Sequence, residues 1–322
     1  MIIYPCNNSG SSYYRLIAPA EFLKTHDYIK NVRSYNYYLT IDKIKELNES
    51  RVHVQRQFFS EQIKFLGTYK LASIKIVNDL DDLLWDLPKH HPLYGYFTKE
   101  IIDQLLLGFK LSDLVVVSSE RLADNLYKTF GIKANVLENL IKCSYRKYPT
   151  INRDKKLRVV WSGSPSHEKD LEIIKELVLE TIDTIEWTFV GYLPSYINRS
   201  QHIVRYIPFQ EPEQYFETLS TLDLDVAVIP LEYNEFNMCK SHSKLLEFAT
   251  LGIPSITTDI EPYKENQCFK IKDNDKNLWR KALLSYNKDE GLRLEHAHAA
   301  YEYSFNYTYI AQHRKLFDCW FI

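Results

Sequence analysis

The sequence lacks paired cysteines, long apolar runs and an excess of charge of either sign. Its five cysteines are scattered, and none belongs to a Cys-x-x-Cys pair, which argues against a zinc site and against a disulfide framework. No run approaches the roughly 18 apolar residues of a membrane span, and residues 1–6 do not begin like a secretory leader. We therefore expect a cytoplasmic protein with no transmembrane segment and at most a peripheral membrane contact.

The charge balance does not favour a nucleic-acid partner. Lys plus Arg number 40 and Asp plus Glu number 42, a formal net charge of −2, so the chain as a whole has no basic field that would attract phosphate backbones. The sequence does contain 45% hydrophobic and 25% charged residues over 322 positions. That composition is typical of a folded protein, and the length suits two domains of ordinary size.

Apolar strand-like runs alternate with amphipathic helical stretches along the chain, which predicts α/β architecture with parallel sheets. A charged segment at 146–156 separates two such series and is the predicted linker. Strands are predicted at 1–4, 52–55, 74–77, 114–118 and 134–137 before the linker, and at 157–161, 187–190, 226–229 and 255–257 after it. Helices are predicted at 13–25, 61–71, 98–109, 120–130, 169–180 and 214–220, within the segment 236–254 up to Gly252, and again from about residue 277.

This order predicts two Rossmann-like doubly wound domains that face each other across a cleft. We place the first domain at 1–148, the second at 149–285, and C-terminal helices that pack back on the first domain at 286–322. Open sheets of this kind bind ligands beyond the carboxyl ends of their strands. Two substrates could therefore meet between the domains.

The segment FNMCKSHSKLLEFATLGIP at 236–254 predicts a helix that binds an anion. On a helix, Lys240, Lys244 and Glu247 share one face. Two lysines four residues apart repel by roughly 0.2–0.5 kcal/mol, so the pair favours a negative ligand between them. Glu247, about two turns after Lys240, is placed to accept hydrogen bonds from ribose hydroxyls. A nucleotide diphosphate fits this pattern, and a half-exposed helix with solvated charges is the alternative.

The start of the same helix adds to the anion site. Ser241 or Ser243 is the predicted cap, at the end where backbone N–H groups and the helix dipole favour phosphate. Gly252 ends the helix before the next strand.

A second candidate loop, Trp-Ser-Gly-Ser-Pro-Ser-His at 161–167, follows a predicted strand and opens a helix. Gly163, Ser164 and His167 occupy the place where such loops donate N–H groups to a phosphate, and Lys169 adds a positive charge. One glycine is weaker evidence than a G-x-G-x-x-G loop, so an ordinary capped turn is the alternative.

Polar residues also follow the first strand and face the ligand-binding edge of the first sheet. A plain surface loop is the alternative. The candidates are Ser9, Gly10, Ser11, Tyr14 and Arg15.

Three acids follow the predicted strand 74–77, and clustered acids demand a partner or a shifted pKa. Asp79 and Asp81 could hold a divalent metal with a diphosphate. Alternatively, one carboxylate, with Asp81 the first candidate and Asp82 its neighbour, could orient or deprotonate an acceptor hydroxyl. The acids could also cap a turn at 83–87. Because lysines already supply positive charge, we expect no metal and no cofactor.

With these residues, the chain resembles the two-domain GT-B glycosyltransferases, and among them the nucleotide-sugar-dependent glycosyl transferases group 1, or family 4-like enzymes. The resemblance rests on VNDLDDLLWDLP at 77–88, on residues 112–141 with Asn139 before the linker, on WSGSPSHEKDLEII at 161–174, and on the 236–254 segment. These matches occur in the family's order and together cover nearly the full length.

The resemblance implies transfer of a sugar from a UDP- or GDP-linked donor to an acceptor hydroxyl in glycan biosynthesis, with retention of anomeric configuration and without a metal. Residues 1–148 would bind the acceptor, and residues 149–285 the donor. The acceptor would be a glycan, a lipid carrier, a protein or a modified nucleobase.

Carried over to this chain, Glu247 is the ribose ligand, and Lys240 and Lys244 bind the diphosphate or the sugar. The chain departs from the family at Cys239, where many members have a second glutamate, and we expect Asn237 to substitute for it. The predicted catalytic residues are Asp79, Asp81 and Lys240; the donor-binding residues are Gly163, Ser164, His167, Lys169, Asn237, Lys240, Ser241, Lys244 and Glu247; the acceptor-binding residues are Ser9, Gly10, Ser11, Tyr14, Arg15 and Asp82.

Two other functions remain open at this point. The first is a non-catalytic sugar-nucleotide binder or scaffold of the same fold, in which Cys239 marks lost activity. The second is a metal-dependent transferase that uses Asp79 and Asp81.

Overall fold

The structure is a computed structural model that describes residues 1–6, 10–150, 156–198, 200–201 and 203–321. Among these residues, none of the helices has the length and apolar content that crossing a bilayer requires. All five cysteines are free thiols.

The chain forms two compact units, each with its own parallel sheet. The predicted segment 286–322 is divided between them, because residues up to Ala311 belong to the second unit and the rest to the first. The first unit comprises Met1–Leu140, Cys239–Ser241 and Gln312–Ile322, and the second comprises Ile141–Met238 and His242–Ala311.

The first unit contains six strands and the helices that cover them. The strands are β1 (Ile2–Tyr4), β2 (Arg33–Ser34), β3 (Arg51–Gln55), β4 (Lys75–Leu80), β5 (Leu114–Val117) and β6 (Asn135–Val136). The helices are α1 (Gly10–Ser12), α2 (Ala18–Thr25), α3 (Ile41–Glu46), α4 (Ser60–Leu71), α5 (Lys99–Leu111) and α6 (Glu120–Phe130), with a π-helical segment at Tyr13–Ile17, and a C-terminal helix at His313–Phe321.

The strand order is β2-β1-β3-β4-β5-β6. β2 is added on one side of β1, and β3 to β6 are added on the other side, so the order of strands reverses between β1 and β3. All of its pairs are parallel. Ligands of open parallel sheets bind where the order reverses, at the carboxyl ends of the strands. In this unit that place lies after Tyr4 and Gln55.

Local sequence explains where the elements of this unit begin and end. Ser119 caps α6 by accepting a hydrogen bond from the Leu122 N–H (3.2 Å), and Gly131 ends the helix in the left-handed region at φ +70°. The C-terminal helix is held by Trp320, whose ring packs 4.5 Å from the His53 ring. Arg51 donates to the Trp320 carbonyl (2.6 Å) at the end of that helix.

The second unit also contains six strands. They are β7 (Arg158–Ser162), β8 (Glu186–Gly191), β9 (Arg205–Pro208), β10 (Val226–Ile229), β11 (Ser255–Thr258) and β12 (Lys270–Ile271). The helices are α7 (Glu168–Glu172), α8 (Lys175–Thr181), α9 (Pro212–Thr221), α10 (Glu235–Met238), α11 (Ser243–Thr250), α12 (Lys276–Lys288) and α13 (Glu290–Phe305), with 3₁₀ turns at Cys143–Tyr145, Pro165–His167, Glu261–Tyr263 and Lys272–Asn274.

The second sheet has the order β12-β11-β10-β7-β8-β9. β8 and β9 are added on one side of β7, and β10 to β12 on the other, so the order of strands reverses between β10 and β7. Its pairs are likewise parallel. Trp187, Phe189 and Trp279 are completely or almost completely buried and form the centre of its core. The two sheets confirm the prediction of two Rossmann-like doubly wound domains.

Two local predictions are wrong. The helix predicted within 236–254 is two helices, α10 and α11, separated by a turn at 239–242. Strand β4 continues to Leu80, so Asp79 lies on the strand and not after it. Residues 84–85 form a turn, and capping of that turn by the acids stays a prediction.

Candidate functional site

Polar side chains from the ends of β1 and β3 meet where the first sheet reverses direction. Ser12 Oγ donates to Gln55 Oε1 (2.8 Å), and Gln55 Nε2 donates to Ser11 Oγ (2.8 Å). Ser11 Oγ in turn donates to Asp81 Oδ2. The order of strands therefore explains why Ser11 and Asp81, both predicted from sequence, lie together, and it adds Gln55, which the sequence analysis missed.

Arg56 is the cation of this cluster and was also missed. It follows β3 with φ +51°, a left-handed conformation that costs a non-glycine residue of order 1–3 kcal/mol. Its Nε donates to Asp81 Oδ1 (2.6 Å) and its Nη2 to Asp82 Oδ2 (2.6 Å). Burial alone would raise the pKa of Asp81, but the charge and hydrogen bond of Arg56, with the bond from Ser11, hold that pKa below its ordinary value.

Arg15 and Asp79 form a buried ion pair beneath this edge. Arg15 Nε and Nη2 donate to the two Asp79 oxygens (2.9 and 2.7 Å), and Nη1 donates to Asn139 Oδ1 (2.9 Å). Burial raises the pKa of Asp79 to about 6, against the opposing charge of Arg15. Both side chains are at most 2% exposed. Arg15 and Asp79 therefore bind each other in the interior, and their roles as acceptor ligand and catalytic residue stay predictions.

The other acceptor candidates differ in exposure. Tyr14 is buried and packs edge-on against Tyr13, and its acceptor-binding role stays a prediction. Gly10 is half-buried, with open space where a Cβ would point. Asp82 is half-buried and bound by Arg56, and Ser9 lies outside the described residues.

In the second unit, Glu247 is the centre of a polar cluster at the carboxyl end of β7. Tyr215 on α9 donates its hydroxyl to Glu247 Oε2 (2.9 Å), and Lys244 Nζ donates to the same oxygen (2.8 Å). Ser162, the last residue of β7, hydrogen-bonds the Tyr215 hydroxyl (2.8 Å). Burial, and then the nearby Glu247 charge, raise the pKa of Tyr215 well above its usual range. Glu247 is 4% exposed, so the alternative of a half-exposed helix with solvated charges is wrong for this residue.

The loop after β7 approaches the end of β8 without side chains between them. The Gly163 N–H donates to the Val190 carbonyl (3.0 Å). A Cβ on Gly163 would lie 2.7 Å from the Trp161 ring, and Gly191 has φ +88°. Both positions therefore favour glycine for packing reasons, and the donor-binding role of Gly163 stays a prediction.

A third cluster joins the loops that follow β7 and β10. His167 Nδ1 lies 2.7 Å from Asp170 Oδ2. Asp170 Oδ1 accepts from the Glu232 N–H (2.7 Å) and from Asn237 Nδ2 (3.2 Å). Because β7 and β10 flank the reversal of the second sheet, His167 and Asn237 both contact Asp170 there, and their donor-binding roles stay predictions. Asp170 was missed.

Three further predicted donor ligands are Ser164, Lys169 and Lys240. Ser164 and Lys169 are exposed, and Ser164 Oγ hydrogen-bonds Ser166 Oγ (2.7 Å). Lys240 is half-buried in the turn between α10 and α11, so it does not share a helix face with Lys244.

The predicted capping of the lysine-bearing helix is also wrong. The residue before α11 is His242, and no side chain caps that helix. Ser241 Oγ instead accepts from Asn139 Nδ2 (3.1 Å). Cys239 is buried, and its carbonyl accepts from the Ser119 hydroxyl (2.7 Å).

The described residues include no group of three or more His, Cys, Asp or Glu side chains arranged to hold a metal. The acids that sequence offered as metal ligands bind arginines, Asp79 with Arg15 and Asp81 with Arg56. A cavity of about 540 Å³ lies at the other edge of the second sheet, next to the first residues of β7, β8 and β9. That is the amino edge, away from the polar clusters, so we do not assign it to the site.

The comparisons with known proteins identify the fold. No protein-family model matches the chain, and no curated protein matches it significantly. Among solved structures, a glycosyltransferase from Rickettsia africae ESF-5 is similar over 99% of this chain and 96% of its own, with 13% identity and a TM-score of 0.69. HepE from Anabaena, solved in complex with UDP and glucose, is similar over 98% of both chains, with 11% identity and a TM-score of 0.66.

A third similar structure is the lipopolysaccharide outer core galactosyltransferase WaaB in its apo form. It covers 99% of this chain and 97% of its own, with 11% identity and a TM-score of 0.61. These likenesses extend over nearly the whole chain, and they confirm the GT-B fold that the sequence resemblance implied.

Proposed function

We propose that this protein is a glycosyltransferase that moves a sugar from a nucleotide diphosphate donor to an acceptor hydroxyl. The observation that carries the proposal is the Glu247 cluster, a carboxylate and the Lys244 cation together at the carboxyl end of β7. The fold supports it, since HepE, which shares that fold, was solved with UDP and glucose. The resemblance favours a UDP- or GDP-linked donor and a cytoplasmic enzyme of glycan biosynthesis.

In this proposal the second unit binds the donor. The Glu247 carboxylate accepts hydrogen bonds from the ribose hydroxyls. An ammonium has three donors, so Lys244 binds Glu247 with one and a phosphate oxygen with another. The donor-binding role of Lys240, which belongs to the first unit, stays a prediction. Cations placed where charge develops on the departing diphosphate stabilise the transition state.

The acceptor hydroxyl binds at Asp81 in the first unit. Because Arg56 and Ser11 hold the pKa of Asp81 below its ordinary value, this carboxylate is a weak base. It therefore orients the hydroxyl by accepting its hydrogen bond, and does not carry the proton away. We expect retention of anomeric configuration, which the proton NMR spectrum of the product checks directly.

The same pairing supports metal independence. Asp81 and Asp82 bind Arg56, and lysines supply the positive charge that a metal would provide. Turnover should persist after treatment with a chelator. Loss of activity in chelator with recovery in Mn²⁺ would require Asp79 and Asp81 to be reassigned as a metal site.

The test of the function is donor binding followed by turnover. A panel of UDP- and GDP-sugars is screened by thermal shift, since a ligand at 100 times its dissociation constant adds about 2.7 kcal/mol of stability. Glu247→Ala should weaken binding of the nucleotide sugar that stabilises the wild type in this screen by about 10- to 100-fold. Glu261→Ala is the matched control, because Glu261 also pairs with a lysine three residues away (2.7 Å) but is exposed.

Two outcomes would contradict the proposal. One is a wild-type protein that is stabilised by no nucleotide sugar, and the other is equal affinity of the two variants. Binding without slow donor hydrolysis or transfer to any acceptor would indicate the non-catalytic binder. The acceptor panel includes a glycan, a lipid carrier, a protein and a nucleobase. The compound that receives the sugar identifies the class of acceptor.

A further inference from the structure

Asp170 is almost completely surrounded by hydrogen-bond donors, although it lies in a short helix next to an exposed loop. It is 5% exposed. Its Oδ1 accepts from the Glu232 N–H (2.7 Å) and from Asn237 Nδ2 (3.2 Å), and the Asn237 amide also donates to the Glu232 carbonyl (3.0 Å). The loop after β10 therefore fixes the carboxylate, which leaves Oδ2 facing His167.

The second oxygen of Asp170 determines the proton position on His167. The carboxylate accepts hydrogen bonds and cannot donate, so the contact of 2.7 Å between Nδ1 and Oδ2 requires the proton on Nδ1. Such a partner fixes both the orientation of an imidazole and the nitrogen that carries the proton. His167 is only 26% exposed at its side chain, so the ring has one defined placement.

The edge of the His167 ring that carries Nε2 faces Gly163, in the loop after β7. His167 Cδ2, the neighbour of Nε2, lies 3.4 Å from the position that a Cβ would occupy on Gly163. Gly163 follows β7, next to the reversal of the sheet where ligands of open parallel sheets bind. The ring thus connects a buried carboxylate on one side with the ligand-binding edge on the other.

From this geometry we infer that Asp170 is a positioning residue, which holds His167 so that its Nε2 binds a phosphate oxygen of the nucleotide donor. The inference rests on the proposed function and adds a residue that the sequence did not suggest. A carboxylate on one side and a phosphate on the other both favour a ring with protons on both nitrogens. Asp170 thereby increases the positive charge that His167 presents to the diphosphate.

The first experiment observes the ring directly and needs no activity. Long-range ¹H–¹⁵N NMR spectra of the histidine side chains report which ring nitrogen is protonated, and His167→Gln assigns the signal. With UDP bound we expect protons on both ring nitrogens in the wild type, a neutral ring with its proton on Nε2 in Asp170→Asn, and no change in Glu168→Gln. Glu168 is the matched control, since it is an acid of the same helix whose carboxylate binds Ser195.

The second experiment separates positioning from a structural role. The affinities for UDP and GDP are measured by calorimetry for the wild type, Asp170→Asn, His167→Gln and the double variant. Each single change should weaken binding by about 10-fold or more. The double variant should be no weaker than His167→Gln alone, because Asp170 acts through the ring.

The results that overturn the inference are distinct from those that overturn the function. An unprotonated Nδ1 in wild-type His167, or losses that multiply in the double variant, would overturn the inference and leave the transferase proposal intact. A wild type that binds neither UDP nor GDP would overturn both. If Asp170→Asn fails to fold, the wild-type and His167→Gln spectra still decide whether Nδ1 carries the proton.

Discussion

A Cβ on Gly191 would lie 2.4 Å from the carbonyl oxygen of Gly163. This relationship joins the ends of two neighbouring strands, β8 and β7, at the edge where the donor loop begins. Gly191 also has φ +88°, a conformation that L residues rarely adopt. Both features predict that no other residue fits at 191.

Gly191→Ala should destabilise the second unit by about 2–5 kcal/mol. Left-handed backbone costs roughly 1–2 kcal/mol, and overpacking adds roughly 1–3 kcal/mol. Urea unfolding followed by tryptophan fluorescence measures the loss. Gly67→Ala in α4 is the control, because its Cβ meets nothing within 4 Å and alanine favours helix by about 0.5–1 kcal/mol. Equal stability of both variants would contradict the close approach of the two glycines.

Arg15→Leu should destabilise the first unit by about 3–5 kcal/mol. The change leaves the buried Asp79 without its two charged hydrogen bonds, which is the costly way to break a buried pair. The double variant Arg15→Leu/Asp79→Leu should recover part of the loss, since neither charge is then buried alone.

Arg314→Leu is the matched control for this pair. Arg314 is 90% exposed and lies 4.0 Å from Asp318, so its removal should cost less than about 1 kcal/mol. Chemical unfolding measures all three variants. A cost for Arg15→Leu as small as that of the control would show that the buried pair does not stabilise the fold.

The pH dependence of stability should change when His53 is replaced by Leu. Burial, and then the Arg51 charge, lower the pKa of His53 well below its usual value, so the folded protein keeps the ring neutral. The unfolded chain gains a proton below about pH 6.5. Wild-type stability therefore falls as pH falls below that point, by up to about 1.4 kcal/mol per pH unit from this residue.

The unfolded His53→Leu chain cannot take up a proton at position 53. The stability of this variant should therefore rise relative to wild type as pH decreases from 6.5 to 5. The difference between the two proteins is the quantity to measure, by thermal or urea unfolding at each pH. The raised pKa of Asp79 contributes an opposite slope, but it is common to both proteins and cancels. Parallel curves would mean that His53 is protonated in the fold.

Arg56→Gln should move the acid limb of the pH–rate profile to higher pH. Arg56 is the main group that opposes burial at Asp81, so its removal raises the pKa of that carboxylate. Asp81 then loses its charge, and its strength as a hydrogen-bond acceptor, at higher pH than in wild type. The kcat/KM with the identified donor and acceptor, measured from pH 5 to 9, should stay level at the acid end in the wild type and fall there in Arg56→Gln. A uniform loss across that range would contradict the role of Asp81.

The buried strands could be predicted because apolar runs indicate them. Strand β10, Val226–Ile229, is at most 4% exposed along its length, and its predicted and observed bounds agree. The edge strands β2, β9 and β12 were missed. They have two to four residues, most of them partly exposed, so they have no apolar run to detect.

The candidate site could be predicted in part for a related reason. Glu247 and Lys244 lie three residues apart on α11, and local spacing found them. Arg56 meets Asp81 across 25 positions, and Tyr215 meets Glu247 across 32, so no window of the sequence contains either pair. The one available signal was position, since Arg56 directly follows a predicted strand.

The turn between α10 and α11 shows how a distant contact overrides a local pattern. The helical spacing of apolar residues continues through 236–250, but the Cys239 carbonyl accepts the Ser119 hydroxyl, 120 positions away. The turn at this position places the Cys239 carbonyl within reach of that hydroxyl. Nothing near Cys239 in sequence indicates that partner.

Cys239–Ser241 and the C-terminal helix belong to the first unit, although Ile141–Met238 and His242–Ala311 belong to the second. The backbone therefore passes from one unit to the other at four places: after Leu140, Met238, Ser241 and Ala311. A protease nick after Leu140 would not free an N-terminal fragment, because Trp320 and its neighbours from the other fragment remain packed within it. A protein truncated after Leu140 would lack Trp320, which is part of the interior of the first unit.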